Sequence, residues 1–367
     1  MFVVLTCISL ALYAVTLFLF KSLQGHRASL AIYWSNRGKI EMAHGHADQA
    51  VASLRNALSY SPYDRSYELL LAESLADSGQ TDQAMNYFLS LWDTQPGDGF
   101  TNLELARLCR TKGLTQQAIN YYHASIFGDW RGDGTTHRRN VRVELANYLT
   151  SIHDTGDARA ELLIASGNAS NNAAINASVG TDFAAIGDAP DALNSFKRAV
   201  EINPRDQSAL EAAGRLSLQL SDYAAAHDFF EKDIQLGIQD PTRKDHVLAL
   251  LEEATRLGEL AFSPNLPNHE RAEHLLIDKG IAEARFNSCA AQVHDPTQDV
   301  PATLELQQRW KAVAHVRLRA LEDDETLQES LSTLITDTEV LTSKACGTPS
   351  GDDAILLRLA RPGVSNQ

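Results

Sequence analysis

The sequence predicts an all-α protein: an α–α superhelix, or solenoid, of stacked helix pairs, with an N-terminal transmembrane helix and a helical C-terminal cap region. Three observations predict this class. A pattern of small and large residues returns with a constant period, an uncharged apolar run fills residues 2–20, and helical periodicity without the repeat follows residue 240. Apolar residues make up 44% of the 367 residues, enough for a large buried core.

The apolar run at the N-terminus predicts a membrane anchor over residues 1–22. Only Thr6, Ser9 and Thr16 of residues 2–20 are outside the apolar class. As a helix the run would span about 28 Å, close to the hydrocarbon thickness of a bilayer. We therefore expect a single-pass membrane protein, with a cleaved secretory signal peptide as the alternative. Basic residues follow the run and none precedes it, which would place the array in the cytoplasm, but a large following domain weakens that rule.

The 34-residue repeat rests on small residues, each paired with a large one. The glycines that end a helix are Gly45, Gly79 and Gly113, and the alanines of the next helix are Ala50, Ala84 and Ala118. Four residues after each alanine stands a large side chain: Leu54, Phe88 and Tyr122. Gly187, Ala192 and Phe196 take the same places downstream, and Ala226 and Phe230 follow 34 residues later. Gly180 and Gly214, also 34 apart, belong to the same two downstream units. Small residues let two helices approach, and the large one fills the gap beside them.

These residues resemble the tetratricopeptide repeat family. In the first unit the match is carried by Trp34, Gly38, Ala50, Leu54, Ala57 and Pro62. The resemblance covers repeats 1–3 at residues 31–126 and repeats 5–6 at residues 173–240. It implies a solenoid that binds other proteins. Together with the anchor and the helical end, it is similar to bacterial envelope proteins of this family, which slightly favours a periplasmic array on a bacterial inner membrane.

Two segments depart from the repeat. Residues 127–172 break the phase with several glycines, and we interpret them as a looped insertion followed by a degenerate helix pair with its cap at Gly156–Asp157. Residues 241–367 keep helical spacing without the repeat period, and we expect a helical C-terminal region that covers the apolar end of the array.

The resemblance also implies a partner-binding groove lined by the first helix of each pair. The residues that it assigns to this groove are Lys39, Glu73, Arg107, Arg110 and Arg215. Most are basic in a chain whose net charge is −15. The hypothesis is a partly basic groove that accepts acidic or extended protein segments. The alternative is an ordinary solvated helix face.

We find no catalytic, cofactor or metal motif in the sequence. His269 and His274 are five residues apart, whereas a zinc helix needs histidines four apart on one face. The acidic balance disfavours nucleic acid as a partner. Cys289 and Cys346 could form a disulfide in an oxidising compartment, and two free thiols are the alternative.

The favoured function is therefore a membrane-tethered scaffold that mediates protein–protein interactions in a bacterial cell-envelope complex, without enzymatic activity. An alternative is an adaptor array that carries a C-terminal ligand-binding or enzymatic helical domain. A third is a structural subunit packed permanently inside a larger machine, which large exposed apolar patches would favour.

Overall fold

The prediction of an all-α fold is confirmed by the computed structural model, in which helix pairs form a solenoid. The described residues are 2–168, 171–263, 266–292 and 301–361, and the side chains of residues 2–9, 11 and 301–304 are outside the description. Within the described residues, β-structure is limited to one isolated bridge between Asp98 and Asp129. The chain divides into two compact units, Met1–Ala169 and Ser170–Gln367.

The first unit contains eight helices in its described residues. They are α1 (Phe2–Ala43), α2 (Ala47–Tyr60), α3 (Arg65–Asp77), α4 (Thr81–Thr94), α5 (Gly99–Thr111), α6 (Thr115–Phe127), α7 (Gly134–Ser151) and α8 (Thr155–Gly167). Each odd-numbered helix packs on the even-numbered helix that follows it, and successive pairs stack. The core between the first three pairs includes the fully buried Leu71, Leu75 and Phe88.

The paired small and large residues of the repeat meet as the sequence predicts. A Cβ atom added to Gly38 would lie 2.6 Å from the Leu54 side chain, and one added to Gly214 would lie 2.5 Å from Phe230. Such distances are far below van der Waals contact, so the large side chain occupies the space that glycine leaves. The repeat pattern therefore records where two helix backbones approach closely.

The looped insertion folds back on the start of α5. Asp129 donates its backbone N–H to Gly97 O at 2.7 Å and accepts from Gly99 N at 2.9 Å. The Trp130 indole lies over Gly99, donates to Ser125 O at 2.9 Å and stacks on His137. A side chain at Gly99 would collide with this ring, so the glycine and the tryptophan are one packing unit.

The pair α7–α8 keeps the repeat register, which differs from the predicted degenerate arrangement. Ala146, Ala158 and Leu162 are buried and stand one repeat period before Gly180, Ala192 and Phe196. The turn between α7 and α8 is made by His153 at φ 65°, where other repeats use glycine. The insertion before α7 makes the interval from the preceding glycine turn longer than one period. Because residue 153 is not glycine and this interval is longer, the repeat register of α7–α8 is not recognisable from the sequence.

The second unit begins with two helix pairs. They are α9 (Ala173–Ala185), α10 (Ala189–Ile202), α11 (Gln207–Gln219) and α12 (Tyr223–Gln235). Then follow α13 (Pro241–Leu260), α14 (Asn268–Gln292), α15 (Pro301–Val313), α16 (Leu318–Asp323), α17 (Glu325–Cys346) and α18 (Asp352–Ala360). Helix α13 packs on α12 and extends the array, while α14 to α17 form a bundle around Leu275, Trp310 and Leu334.

The last helix, α18, closes the end of the second unit's array. It packs on α13, α14 and α17. Its Ile355 and Leu359 contact both the α11–α13 core and the bundle core, and Leu356 is buried in the bundle. The predicted capping role of residues 241–367 thus falls in large part on a helix from the far end of the chain.

The predicted single-pass membrane localisation is wrong by this structure. Among the helices of the described residues, none combines the length and apolar character that crossing a bilayer requires. The predicted span is the first part of α1, whose described apolar run ends at Phe20 and is followed by Lys21, Gln24 and His26 within two turns. The side chains of residues 1–9 and of residue 11 are outside the described part of the chain.

Candidate functional site

An open cavity of the first unit lies between α5 and α7. Its volume is about 870 Å³. The lining residues are Arg107, Arg110, Asn140, Val143, Glu144, Asn147, Tyr148 and Ser151. Both helices are the first members of their pairs. Of the two, only α5 carries groove residues named from the sequence, Arg107 and Arg110. This α5–α7 surface combines two guanidinium groups with two side-chain amides.

Arg107 is held inside the protein's own ion pairs. Its Nε and Nη2 donate to the two carboxylate oxygens of Glu144 at 2.9 and 2.6 Å, and its Nη1 donates to Glu104 at 2.7 Å. Bidentate geometry of this kind is the strongest form of the arginine–carboxylate pair. The hydrogen bonds that Arg107 donates to Glu144 are the main cause of its raised pKa. Arg107 therefore positions α7 against α5. Because its charge is already paired with two carboxylates, it contributes little to ligand binding.

Glu144 is the residue on which this cluster converges. Besides Arg107, the buried Tyr122 hydroxyl donates to it at 2.9 Å. Burial alone would raise the pKa of Glu144, but the bonds from Arg107 and Tyr122 outweigh it and hold that pKa below its ordinary value. Burial, with the adjacent carboxylate, raises the pKa of Tyr122. Glu144 is thus an ionised, fully engaged anchor.

Arg110 is the exposed cation of the α5–α7 surface. Its side chain is 45% exposed, close to the 43% of Arg107, but its guanidinium approaches Glu144 only at 4.0 Å. An exposed pair at this distance contributes little to stability, so the charge of Arg110 is available to an incoming carboxylate. Asn140 and Asn147 lie on the facing helix and offer amide groups of the kind that bond to peptide backbones.

A second, acidic patch lies on α3 and α5 beside this surface. Burial, together with the charges of Glu104 and Asp77, raises the pKa of Glu73 to about 7. Burial also raises the pKa of Glu104, against the opposing effect of Arg107. Three carboxyl groups that repel one another form a site that a cation would stabilise. The predicted partly basic groove is therefore mixed in charge in the first unit.

The other groove residues named from the sequence do not join the α5–α7 surface. Lys39 is exposed on α1. Arg215 belongs to the second unit, where it pairs with Glu211 at 3.0 Å and contacts His246. The structure therefore brings Arg107 and Arg110 together, with Glu73 on the adjoining helix of the stack.

The facing residues Asn140, Glu144 and Asn147 were missed by sequence reasoning. They lie on α7, whose repeat register was hidden by His153 in place of glycine. Counting back one repeat period from Gly180 would have placed Ala146 at the small position. That step makes α7 a first helix and exposes its polar positions as candidates.

Cys289 and Cys346 are joined by a disulfide in the structure, with their Cα atoms 5.7 Å apart. The bond links the last turn of α14 to the end of α17. Cys109 is free and buried in α5. Arg285, one turn before Cys289, donates to Gly347 O at 2.8 Å, so a hydrogen bond supports the same junction.

The two histidines examined for metal binding have other partners. His269 pairs with Glu322 and with Glu273. His274 bonds through Nδ1 to Ala261 O at 2.6 Å. His274 also lines a cavity of about 530 Å³ between α13 and α14, together with Arg256, Glu259 and Glu273.

Two segments of the chain match family models of the tetratricopeptide repeat, residues 41–100 and residues 180–241. One segment lies in each unit, and both contain the glycine, alanine and large-residue pattern described above. These two matches support the tetratricopeptide repeat (TPR) superfamily for this chain. TPR proteins bind other proteins or peptides, and the TPR fold is generally a non-catalytic interaction scaffold.

Several solved TPR structures are similar to this chain at low sequence identity. The C-terminal part of a TPR protein from Cytophaga hutchinsonii is 14% identical, covers 72% of this chain and 96% of its own, and has a TM-score of 0.47. PilF of Pseudomonas aeruginosa is 12% identical, with coverages of 61% and 99% and a TM-score of 0.41. YrrB, a TPR protein with an unusual peptide-binding site, is 15% identical, covers 53% of this chain and 97% of its own, and has a TM-score of 0.39. No curated protein sequence is significantly similar to the chain.

Proposed function

We propose that this chain is a protein-interaction scaffold whose first unit binds an extended peptide segment across α3, α5 and α7. The observation that carries the proposal is the α5–α7 surface, where Arg110 keeps an exposed charge while Arg107 is consumed by Glu104 and Glu144. A peptide carboxylate would pair with Arg110, and the amides of Asn140 and Asn147 would bond to its backbone.

The acidic patch supports a second feature of the ligand. Glu73 and Glu104 crowd together without a cation that pairs with both, so a basic peptide residue would relieve their repulsion. The proposed ligand therefore carries a basic residue for Glu73 and an acidic residue for Arg110. The expectation of acidic or extended segments is thereby narrowed to an extended segment that carries both charges.

To test this, twelve-residue peptides are selected from a random displayed library for binding to the purified full chain. Their affinities are then measured by fluorescence anisotropy. We expect Arg110→Glu to weaken binding at least about tenfold, because it replaces attraction by repulsion. Arg55→Glu is the matched control: Arg55 is an exposed arginine on α2, a second helix of a pair, and bonds to Gln83. Equal loss in both variants, or no loss in Arg110→Glu, would contradict the proposal.

Binding should also depend on pH. A bound cation requires the ionised form of Glu73, whose pKa of about 7 leaves much of it protonated at pH 6. We expect a higher affinity at pH 8 than at pH 6 for the selected peptides. In Glu73→Gln this difference should shrink, and a peptide that binds more tightly at pH 6 would argue against the basic subsite.

A further inference from the structure

The second unit buries carboxyl groups where its last helix docks. Asp278 on α14 and Glu339 on α17 are both 0% exposed, and none of their four carboxylate oxygens has a hydrogen-bond partner. Asp353, at the start of α18, also has a buried oxygen without a partner. A buried carboxylate without a partner is costly, so each group must be compensated in some other way.

Electrostatic coupling places these groups together. Asp278 is affected by Glu339 and by Asp352, and Glu339 is affected by Asp353. The cation that faces both Glu339 and Asp353 is Arg285 of α14. From α13, Arg256 pairs with Asp352 at 2.6 Å. Among the described groups, the carboxyls at this junction thus outnumber the cations.

A metal ion does not account for the cluster. Within the described residues, three metal-ligating atoms come within 4.8 Å of one another only on α12, at the partly exposed His227 and the exposed Asp228 and Glu231. Asp278, Glu339 and Asp353 do not converge in this way. Protonation is then the compensation that remains for the wholly buried carboxyls, because a neutral carboxyl avoids most of the desolvation cost.

Apart from these carboxyl groups, the contacts of helix α18 hold it only weakly. It has nine residues, too few to persist as a helix in isolation. Its fully buried apolar side chain is Leu356, and Ile355 and Leu359 are partly buried. Its ion pairs with Arg256 and Glu253 are partly exposed and contribute little. Gly347 and Gly351, both at positive φ, bound the turn that connects it to α17.

We propose that α18 is a pH-responsive strap on the end of the second unit's array: it docks while Glu339 and Asp278 are protonated and detaches when they ionise. Ionisation places several negative charges around one arginine, with Asp353 of α18 among them. Repulsion then acts directly on the start of the strap. Detachment uncovers the faces of α13 and the bundle that Ile355, Leu356 and Leu359 cover.

The physical range of this switch is set by burial. Burial, with Asp352 and Glu339, raises the pKa of Asp278 to about 8, and burial with Asp353 raises that of Glu339 to about 7. For a carboxyl whose pKa is raised in the docked state, docking is strongest below the undocked pKa and weakens as pH rises through the docked value. The strap should therefore hold at pH 6 and loosen towards pH 8.5.

The test is hydrogen exchange of the full chain at pH 6 and pH 8.5, read by mass spectrometry and divided by the intrinsic exchange rate at each pH. We expect the protection of residues 352–361 to fall about tenfold or more at the higher pH, as one buried carboxyl suffices for a tenfold change. Peptides from α9 to α12 should keep their protection, which separates strap release from global unfolding. A protection of α18 that does not change with pH overturns the proposal.

Two variants identify the groups responsible. Glu339→Gln keeps the shape of the side chain and removes its ionisation, so the pH dependence of α18 protection should shrink severalfold. Glu329→Gln is the matched control, because Glu329 lies on the same helix and is exposed. If both variants behave like the parent chain, the buried carboxyls are not the trigger. The experiment uses no peptide ligand, so its outcome is independent of the proposed function of the first unit.

Discussion

At the scale of single residues, glycine positions decide how closely the helices pack and how they turn. Gly214 is needed because Phe230 fills the space beside it. His153 and Ser221 stand at φ 65° and 60°, in turns where Gly45, Gly79, Gly113 and Gly187 stand elsewhere. The fold therefore has helix positions where packing requires glycine, and turns at positive φ where histidine or serine stands in place of glycine.

We expect Gly214→Ala to destabilise the chain by about 1–3 kcal/mol, because the new methyl group overlaps the Phe230 ring and forces repacking. Gly280→Ala is the matched control. Gly280 also lies within a helix, but no atom lies within 4 Å of the added methyl, so alanine should stabilise by about 0.5–1 kcal/mol. Urea unfolding followed by circular dichroism measures both, and the two changes must have opposite signs.

We expect His153→Gly to stabilise the chain by about 0.5–1 kcal/mol, since glycine adopts positive φ without the steric cost that histidine meets. The reverse change, Gly187→Ala, introduces that cost at φ 81° and should destabilise by about 1 kcal/mol. Midpoints of thermal unfolding report both effects. A stabilising Gly187→Ala would show that turn strain does not govern these positions.

At the scale of helices, the chain uses long-range links where the repeat alone is insufficient. In the first unit, the loop after α6 folds onto the start of α5 through Trp130 and Gly99. In the second unit, the disulfide joins the ends of α14 and α17, and its two cysteines are 57 residues apart in sequence. Both links connect elements outside the local helix-pair contacts of the array.

We expect replacement of both Cys289 and Cys346 by serine to lower the free energy of unfolding by about 4 kcal/mol, the loop-closure entropy for a link of this length. Urea unfolding without reductant measures the loss. Adding reductant should weaken the parent chain by a similar amount and leave the variant unchanged. A variant that still responds to reductant would mean that another thiol reaction is involved.

At the scale of the whole molecule, buried carboxyls make stability depend on pH. Glu73 in the first unit, and Asp278 and Glu339 in the second, have raised pKa values of about 7, 8 and 7. Near neutral pH, the folded forms of these groups keep protons that the unfolded chain has already released. Stability from these groups is therefore present at low pH and is lost as pH rises through the folded values.

We expect the free energy of unfolding to be lower at pH 8.5 than at pH 6 by about 5 kcal/mol, the scale that such shifts imply. The triple variant Glu73→Gln, Asp278→Asn, Glu339→Gln should remove most of this difference. Urea unfolding at the two pH values checks it. A triple variant with the parent's pH profile would assign the dependence to other groups.

The sequence by itself determined the repeat, because each close approach of two helices demands a small residue opposite a large one at a fixed interval. Leu54, Phe88 and Phe230 are buried where that interval placed them. The groove residues Arg107 and Arg110 were named through the family resemblance that this interval carries. These features depend on local helix geometry, which residue spacing encodes directly.

Only the tertiary structure decided how the charges are used. Arg107 looked like a free cation in the sequence, yet Glu144 of a later helix pair takes it up. No sequence pattern singles out Asp278, Glu339 or Asp353, yet α14, α17 and α18 bury carboxylate oxygens of all three. The strength of a charge depends on its distant neighbours and on the water it has lost, and residue spacing along one chain specifies neither.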